Sequence, residues 1–147
     1  MAMAVGLRAS VRIVVADGDT AISAGSGDVP VLATPRLLAL AEAAAVAAVE
    51  PQLAPELTSV GTAVSLEHRR ASPVGAEVVV EAELTEMTDR RLLFSFIARQ
   101  SVPPSGQAGA AGPGRDDDGG TDFVVGAGTV ERVVVDRAKF LARASQP

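Results

Sequence analysis

The chain has no cysteine, no tryptophan and no tyrosine, and it has a single histidine. Without cysteine there is no disulfide, no thiolate nucleophile and no Cys-ligated zinc. With no Trp or Tyr, no basic run and a net charge of −5, the surface is not one suited to nucleic acid. No apolar run reaches the ~20 residues of a membrane span. The opening residues, MAMAVGLRAS, lack the apolar stretch of a signal peptide, so a cytoplasmic protein is expected. Any step that needs an imidazole must use His68.

What is present suffices for one domain. The chain has 147 residues, 48% of them hydrophobic, which is enough to bury a real core. The expectation is a single domain over 1–147. One stretch stands apart: at about 102–122 the sequence is dense in Pro, Gly and Asp and poor in apolar bulk. A flexible insertion between two strands is expected there.

The rest is organised around DVPVLATPRLLALAEAAAVAAVE, Asp28 to Glu50. Thr34 is a good N-cap residue and Pro35 suits the first helical position. Leu37 to Val49 is apolar except for Glu42, which predicts a core helix ended by Pro51. Before it, Gly6 to Ala16 alternates like a strand, and Asp17 to Asp28 reads as a loop. After it, Leu57 to Leu66 is strand-like, and Gly61 inside it signals a bulge or a close approach. Ala76 to Met87 sets Val78, Val80, Ala82 and Leu84 against charged neighbours, and Leu92 to Ala98 returns beside it. Phe123 to Val135 reads as a last strand and Asp136 to Ala144 as a short helix. A helix wrapped by a curled antiparallel sheet of about five strands makes an α+β domain. Open sheet edges are commonly closed by a second copy, so a homodimer is expected.

Glu42 is the anomaly, because a buried carboxylate needs a partner or a task. Thr34, Glu42 and His68 match a hydroxyl nucleophile, a carboxylate and a base. The helix start adds N–H groups suited to an oxyanion. Eight residues along the helix place Thr34 and Glu42 roughly 80° apart around its axis. Plainer readings stand beside these. Thr34 is then a cap only, Glu42 is tied to Arg99 or Arg132, and His68 is a surface residue. Gly61 relieves packing, and Arg69 and Arg70 are solvated cations unless they meet phosphates.

Three runs carry a wider resemblance: VLATPRLLALAEAAA, VGTAVSLEHRRASPVG and GTVERVVVDRAKF. Together they resemble the hotdog-fold thioesterases, in the branch that includes fluoroacetyl-CoA thioesterase. The resemblance implies the hotdog fold and hydrolysis of an acyl-CoA thioester. It implies that Thr34, Glu42 and His68 form the catalytic group and that Gly61 lies near the reacting acyl group. Arg69 and Arg70, beside His68, are expected to bind the substrate through its phosphates, a reading that rests on their charge and place and not on the resemblance. No metal and no cofactor are implied, coenzyme A being part of the substrate. The fluoroacetyl-CoA enzyme of this branch closes its site with aromatic residues just before the helix. Ile22 to Leu32 holds none, so selectivity for fluoroacetyl-CoA is not expected, and a small glycine-rich lid leaves room for a different acyl group, larger ones included. The alternatives of other kinds are a non-catalytic acyl-CoA-binding or sensing hotdog protein, and a hydratase. Thr, Glu and His together favour the esterase, since a binder needs no base. A hydratase wants an Asp/His pair, and the helix carries no His.

Overall fold

A computed structural model describes residues 3–102 and 122–147. The insertion expected at about 102–122 lies outside the described residues, save for Val102 and Asp122.

Five strands form one antiparallel sheet. They are β1 (Arg8–Val14), β2 (Leu57–His68), β3 (Glu77–Thr88), β4 (Arg91–Ser101) and β5 (Phe123–Asp136), in the order β1-β3-β4-β5-β2. The alternation in the sequence sets the inner face. Val78, Val80, Ala82 and Leu84 of β3 are sealed from solvent, as are Phe94 and Ala98 of β4. The sheet curls around helix α2 (Thr34–Val49), which packs chiefly on β1 and β3. Leu37, Leu40, Ala41, Ala44, Ala45, Ala48 and Val49 meet the core. The helix is not buried all round: Ala39, Ala43 and Ala47 are exposed. Alanine tolerates that position because it is small and the best helix former. Pro51 cannot continue the α-helical ladder, and Glu50–Gln52 tightens into a 3₁₀ turn.

Two local expectations change. The segment Asp17 to Asp28 is not all loop. It contains a 3₁₀ turn, Asp17–Asp19, and one helical turn, α1 (Ala21–Ala24). Thr20 caps α1 by accepting from Ser23 N, and Gly25, at φ 74°, ends it. Thr34 is not the N-cap of α2. Ala33 holds that place and Thr34 is already helical, with Pro35 following it. Ala33 has no side-chain acceptor to offer, so the hydroxyl of Thr34 is left for another partner.

The C-terminal helix, α3 (Arg137–Ala144), is capped by Asp136, which accepts from Lys139 N. No helix among the described residues is long and apolar enough to cross a membrane. β2 is an edge strand, and Gly61 to Ser65 within it is exposed.

Candidate active site

Strand β2 carries two of the residues in question, and a bulge decides which way they face. Gly61 pairs with Arg132, and His68 pairs with Gly126. Those partners are six residues apart on β5, so they share a face. Gly61 and His68 are seven apart, an odd spacing that would put them on opposite faces of a regular strand. The register shifts between Gly61 and Ala63. Thr62 is the extra residue, and its hydroxyl donates to the Glu131 carbonyl at 3.2 Å. The bulge therefore turns both Gly61 and His68 toward the helix.

At the His68 end, β2 meets the start of α2. Thr34 Oγ1 lies 2.8 Å from His68 Nδ1. Burial pushes the imidazole below its usual pKa, because a low-dielectric site disfavours the cation. A neutral ring whose Nδ1 accepts from Thr34 carries its hydrogen on Nε2, and Nε2 is buried with no hydrogen-bond partner among the described residues. Gly126 makes room for this arrangement: a Cβ there would stand 2.9 Å from the Glu67 carbonyl and 3.1 Å from Leu37 Cδ2. No side chain caps α2. Pro35 has no N–H to offer, so the start of the helix brings to this corner the positive end of its dipole and the N–H of Thr34, which suit a developing negative charge.

A cavity of about 270 Å³ opens beside the pair. Ala21, Gly27, Val29 and Val31 line one side, and Arg69 and Arg70 the other. The backbone N–H groups of Arg69 and Arg70 both donate to the Val125 carbonyl, at 2.8 and 3.3 Å, which fixes the chain just past His68. The guanidinium of Arg70 stacks on Phe123, 3.9 Å from the ring centre. Arg69 pairs with Glu67 at 3.1 Å. A larger opening of about 650 Å³ lies beyond Pro73, between Val14 and Val102, and contains none of the predicted residues.

Glu42 is elsewhere on the helix, about 12 Å further along its axis at 1.5 Å per residue. Among the described residues no hydrogen bond joins it to His68. It pairs with Arg132, Nη1 to Oε2, at 2.9 Å. Arg132 is buried, and it donates from Nε to Ser59 Oγ and from Nη2 to the Ser59 carbonyl, both at 2.8 Å. Desolvation lowers the pKa of the guanidinium, while the charge of Glu42 and its hydrogen bond raise it. Arg132 is one of the two arginines named from the sequence as a partner; the other, Arg99, forms no ion pair with Glu42. Glu42 keeps about a third of its side chain exposed, at 35%. The carboxylate stands where a side chain at Gly61 would begin: a Cβ there would collide with Glu42 Oε2.

Within one chain the predicted residues thus fall into two clusters. Thr34, His68, Arg69 and Arg70 gather at the cavity. Glu42 and Gly61 gather with Arg132 and Ser59. Ser59 carried no signal in the sequence, since its role depends on a guanidinium arriving from β5. No three Asp, Glu or His side chains converge to hold a metal among the described residues.

The family model of the fluoroacetyl-CoA-specific thioesterases matches residues 15–108. The fluoroacetyl-CoA thioesterase of Streptantibioticus cattleyicolor is 34% identical over 116 residues, covering 79% of this chain and 69% of that protein. A solved mutant of the fluoroacetyl-CoA enzyme in complex with acetyl-CoA superposes with a TM-score of 0.79 at 30% identity, over 99% of this chain and 100% of that one. A thioesterase superfamily member from Thermus thermophilus gives a TM-score of 0.75 at 21% identity, over 95% of this chain and 88% of that one. This last likeness bears on the fold alone.

Proposed function

Because the chain belongs to the fluoroacetyl-CoA-specific thioesterase family, we propose that it hydrolyses an acyl-CoA thioester to the free acid and CoA. The observation that carries this reading is the 2.8 Å contact of Thr34 Oγ1 with His68 Nδ1 at the mouth of a cavity. A hydroxyl bonded to a neutral imidazole is an activated nucleophile. Thr34 Oγ1 attacks the thioester carbon as its proton passes to His68 Nδ1. The oxyanion forms against the Thr34 N–H at the start of α2. The C–S bond then breaks, and the leaving sulfur takes the proton from His68. Water attacks the acyl-threonine in turn and gives a proton to His68; the C–O bond to Thr34 breaks, His68 returns that proton to Oγ1, and the acid is released. Arg69 and Arg70, on the cavity wall, suit the phosphates of CoA.

The second part of the proposal is a homodimer. The exposed edge of β2 offers unpaired backbone groups. Pairing β2 with its copy, antiparallel and centred on Ser65, with Thr62 skipped at the bulge as it is against β5, sets Gly61 of one chain opposite His68 of the other. Glu42 then joins the reacting corner from the partner copy and steadies the imidazolium or the attacking water. Gly61 lets the acyl group approach the strand closely, because no side chain intervenes.

The test is release of free thiol from a panel of acyl-CoAs of rising chain length. Hydrolysis well above the rate in water is the expected result. Binding of the same thioesters with no cleavage would replace this reading with that of a non-catalytic acyl-CoA binder.

A further inference from the structure

The opening of about 650 Å³ beyond Pro73 has no part in the chemistry above, yet it is built like a ligand site. Its volume falls within the roughly 300–1,000 Å³ of small-molecule pockets. Val14, Val74 and Val102 line it, and these large apolar side chains are 59%, 46% and 39% exposed. Exposed apolar groups gathered in one concave place mark a surface that a ligand covers. One polar group stands among them. Gln100 lines the same opening, and its Oε1 is buried with no hydrogen-bond partner among the described residues. A buried acceptor left unpaired costs stability, and an N–H from a ligand removes that cost.

A cation stands next to it. Gln100 is the strand partner of Phe123, and the Arg70 guanidinium lies over the Phe123 ring at 3.9 Å. The ring holds the cation in place without neutralising it. Arg69 is tied to Glu67, whereas Arg70 forms no ion pair among the described residues. Glu77, the one carboxylate on the lining, is occupied by Arg12 at 2.7 Å. An aromatic base that bears an amino group, carried on a phosphate, matches the apolar walls, the free acceptor and the unpaired cation together. The spacing suits coenzyme A. His68 ends β2, and Gln100 stands two strands away in the order β4-β5-β2, about 10 Å at the spacing of a sheet. Arg70, over β5, lies between them. The arm of CoA from sulfur to first phosphate is about a dozen bonds, or about 15 Å when extended, which is enough to lead from the Thr34–His68 corner to Arg70.

We propose that this rim binds the nucleotide end of CoA: Arg70, seated on Phe123, takes the pyrophosphate, and the adenine fills the opening with its 6-amino group donating to Gln100 Oε1. The proposal rests on the reading that the substrate is a CoA thioester. It adds a choice of carrier, since a thioester of pantetheine alone offers the same reacting group and no nucleotide. The rim lies on the β4 side of His68, away from the β2 edge that the proposed dimer uses, so one chain holds the whole nucleotide site.

The test is calorimetric binding of CoA and of pantetheine to the parent, and of CoA to Arg70→Gln and Gln100→Leu, with melting temperatures alongside. Neither ligand carries a thioester, so the result does not depend on turnover, and hydrolysis by the parent tests the thioesterase reading separately. The parent should bind CoA at least about tenfold more tightly than pantetheine, because a charge-assisted contact is added. Arg70→Gln removes that contact and should weaken CoA by about tenfold or more. Gln100→Leu keeps the volume and removes the unpaired acceptor. It should melt no lower than the parent and bind CoA about three- to tenfold more weakly, the range for one hydrogen bond. Equal affinity of the parent for CoA and pantetheine, or no binding of CoA, overturns the proposal. An affinity for CoA within about twofold of the parent in either variant overturns it too: in Arg70→Gln the pyrophosphate is then elsewhere, and in Gln100→Leu the adenine is.

Discussion

Gly61 and His68 are an odd number of residues apart on one strand, and both face helix α2. The bulge at Thr62 accounts for it. Bulges are a known way to re-aim side chains beside active sites. This one puts a residue with no side chain beside Glu42 and the only imidazole beside Thr34.

Deleting Thr62 would make β2 regular. Either Ser59 and Gly61 or Val64, Leu66 and His68 would then turn to the outer face. Leu66 packs against the core, so the expected cost is about 2–5 kcal/mol, the range for losing a large apolar side chain. Turnover should vanish in whatever folds. A variant with parental melting temperature and parental rate would contradict the assignment of the bulge.

Glu42→Gln keeps the volume and an acceptor for Arg132 but removes the charge. The pair is partly exposed, and Arg132 retains both bonds to Ser59. The expected loss of stability is therefore modest, about 1–2 kcal/mol, well below the cost of stranding a sealed charge. Turnover should fall by about tenfold or more. A protein that melts far lower but turns over normally while folded would take Glu42 out of the site.

The division of the predicted residues into two clusters predicts complementation. Glu42→Gln and His68→Ala should each fall to about a tenth of the parental rate or less alone. Mixed by co-refolding, they should recover activity if the proposed dimer forms, because half of the mixed dimers' sites would then receive an intact Glu42 from one chain and an intact His68 from the other. Recovery toward a quarter of the parental rate is expected for random mixing. No recovery, with dimers present in solution, would mean that each chain's site works alone.

Much of this architecture was legible in the sequence. The alternation of β3 named its inner residues, and Pro51 marked the end of α2, because burial on one face and the geometry of proline are local facts. Gly61 signalled a bulge or a close approach, and the fold uses it for both. Thr34 misled in part. Its type suits a cap, but whether it caps depends on where the helix starts, and that is settled by Ala33 N bonding to the Asp19 carbonyl and Leu32 N to the Ser72 carbonyl. The turn at Ala21–Ala24 was missed because Gly and Ser obscured a single helical turn. The joint orientation of Gly61 and His68 was out of reach, since it depends on which residue of β2 is left unpaired.

Burial holds the pKa of His68 below the usual 6.5, and the direction has two consequences. The base must be neutral, so the acid limb of the rate profile should have its midpoint below about pH 6.5. The unfolded chain takes up this proton more readily than the folded one. Stability contributed by the neutral ring is therefore full above about pH 6.5 and falls as the pH drops toward the folded value. A kcat/KM profile with its acid midpoint at or above 6.5 would show that the imidazole is not desolvated during turnover.

If His68, bonded to Thr34, is the base of a thioester hydrolysis, the reaction must slow when its imidazole is removed. The most direct measurement is kcat for His68→Ala against the parent, by thiol release, on the best acyl-CoA of the panel. His68 stands at a strand end and fills little core, so the variant should fold. The expected result is a fall of ~10²-fold or more, the usual contribution of a general base. A rate within a few-fold of the parent would contradict it.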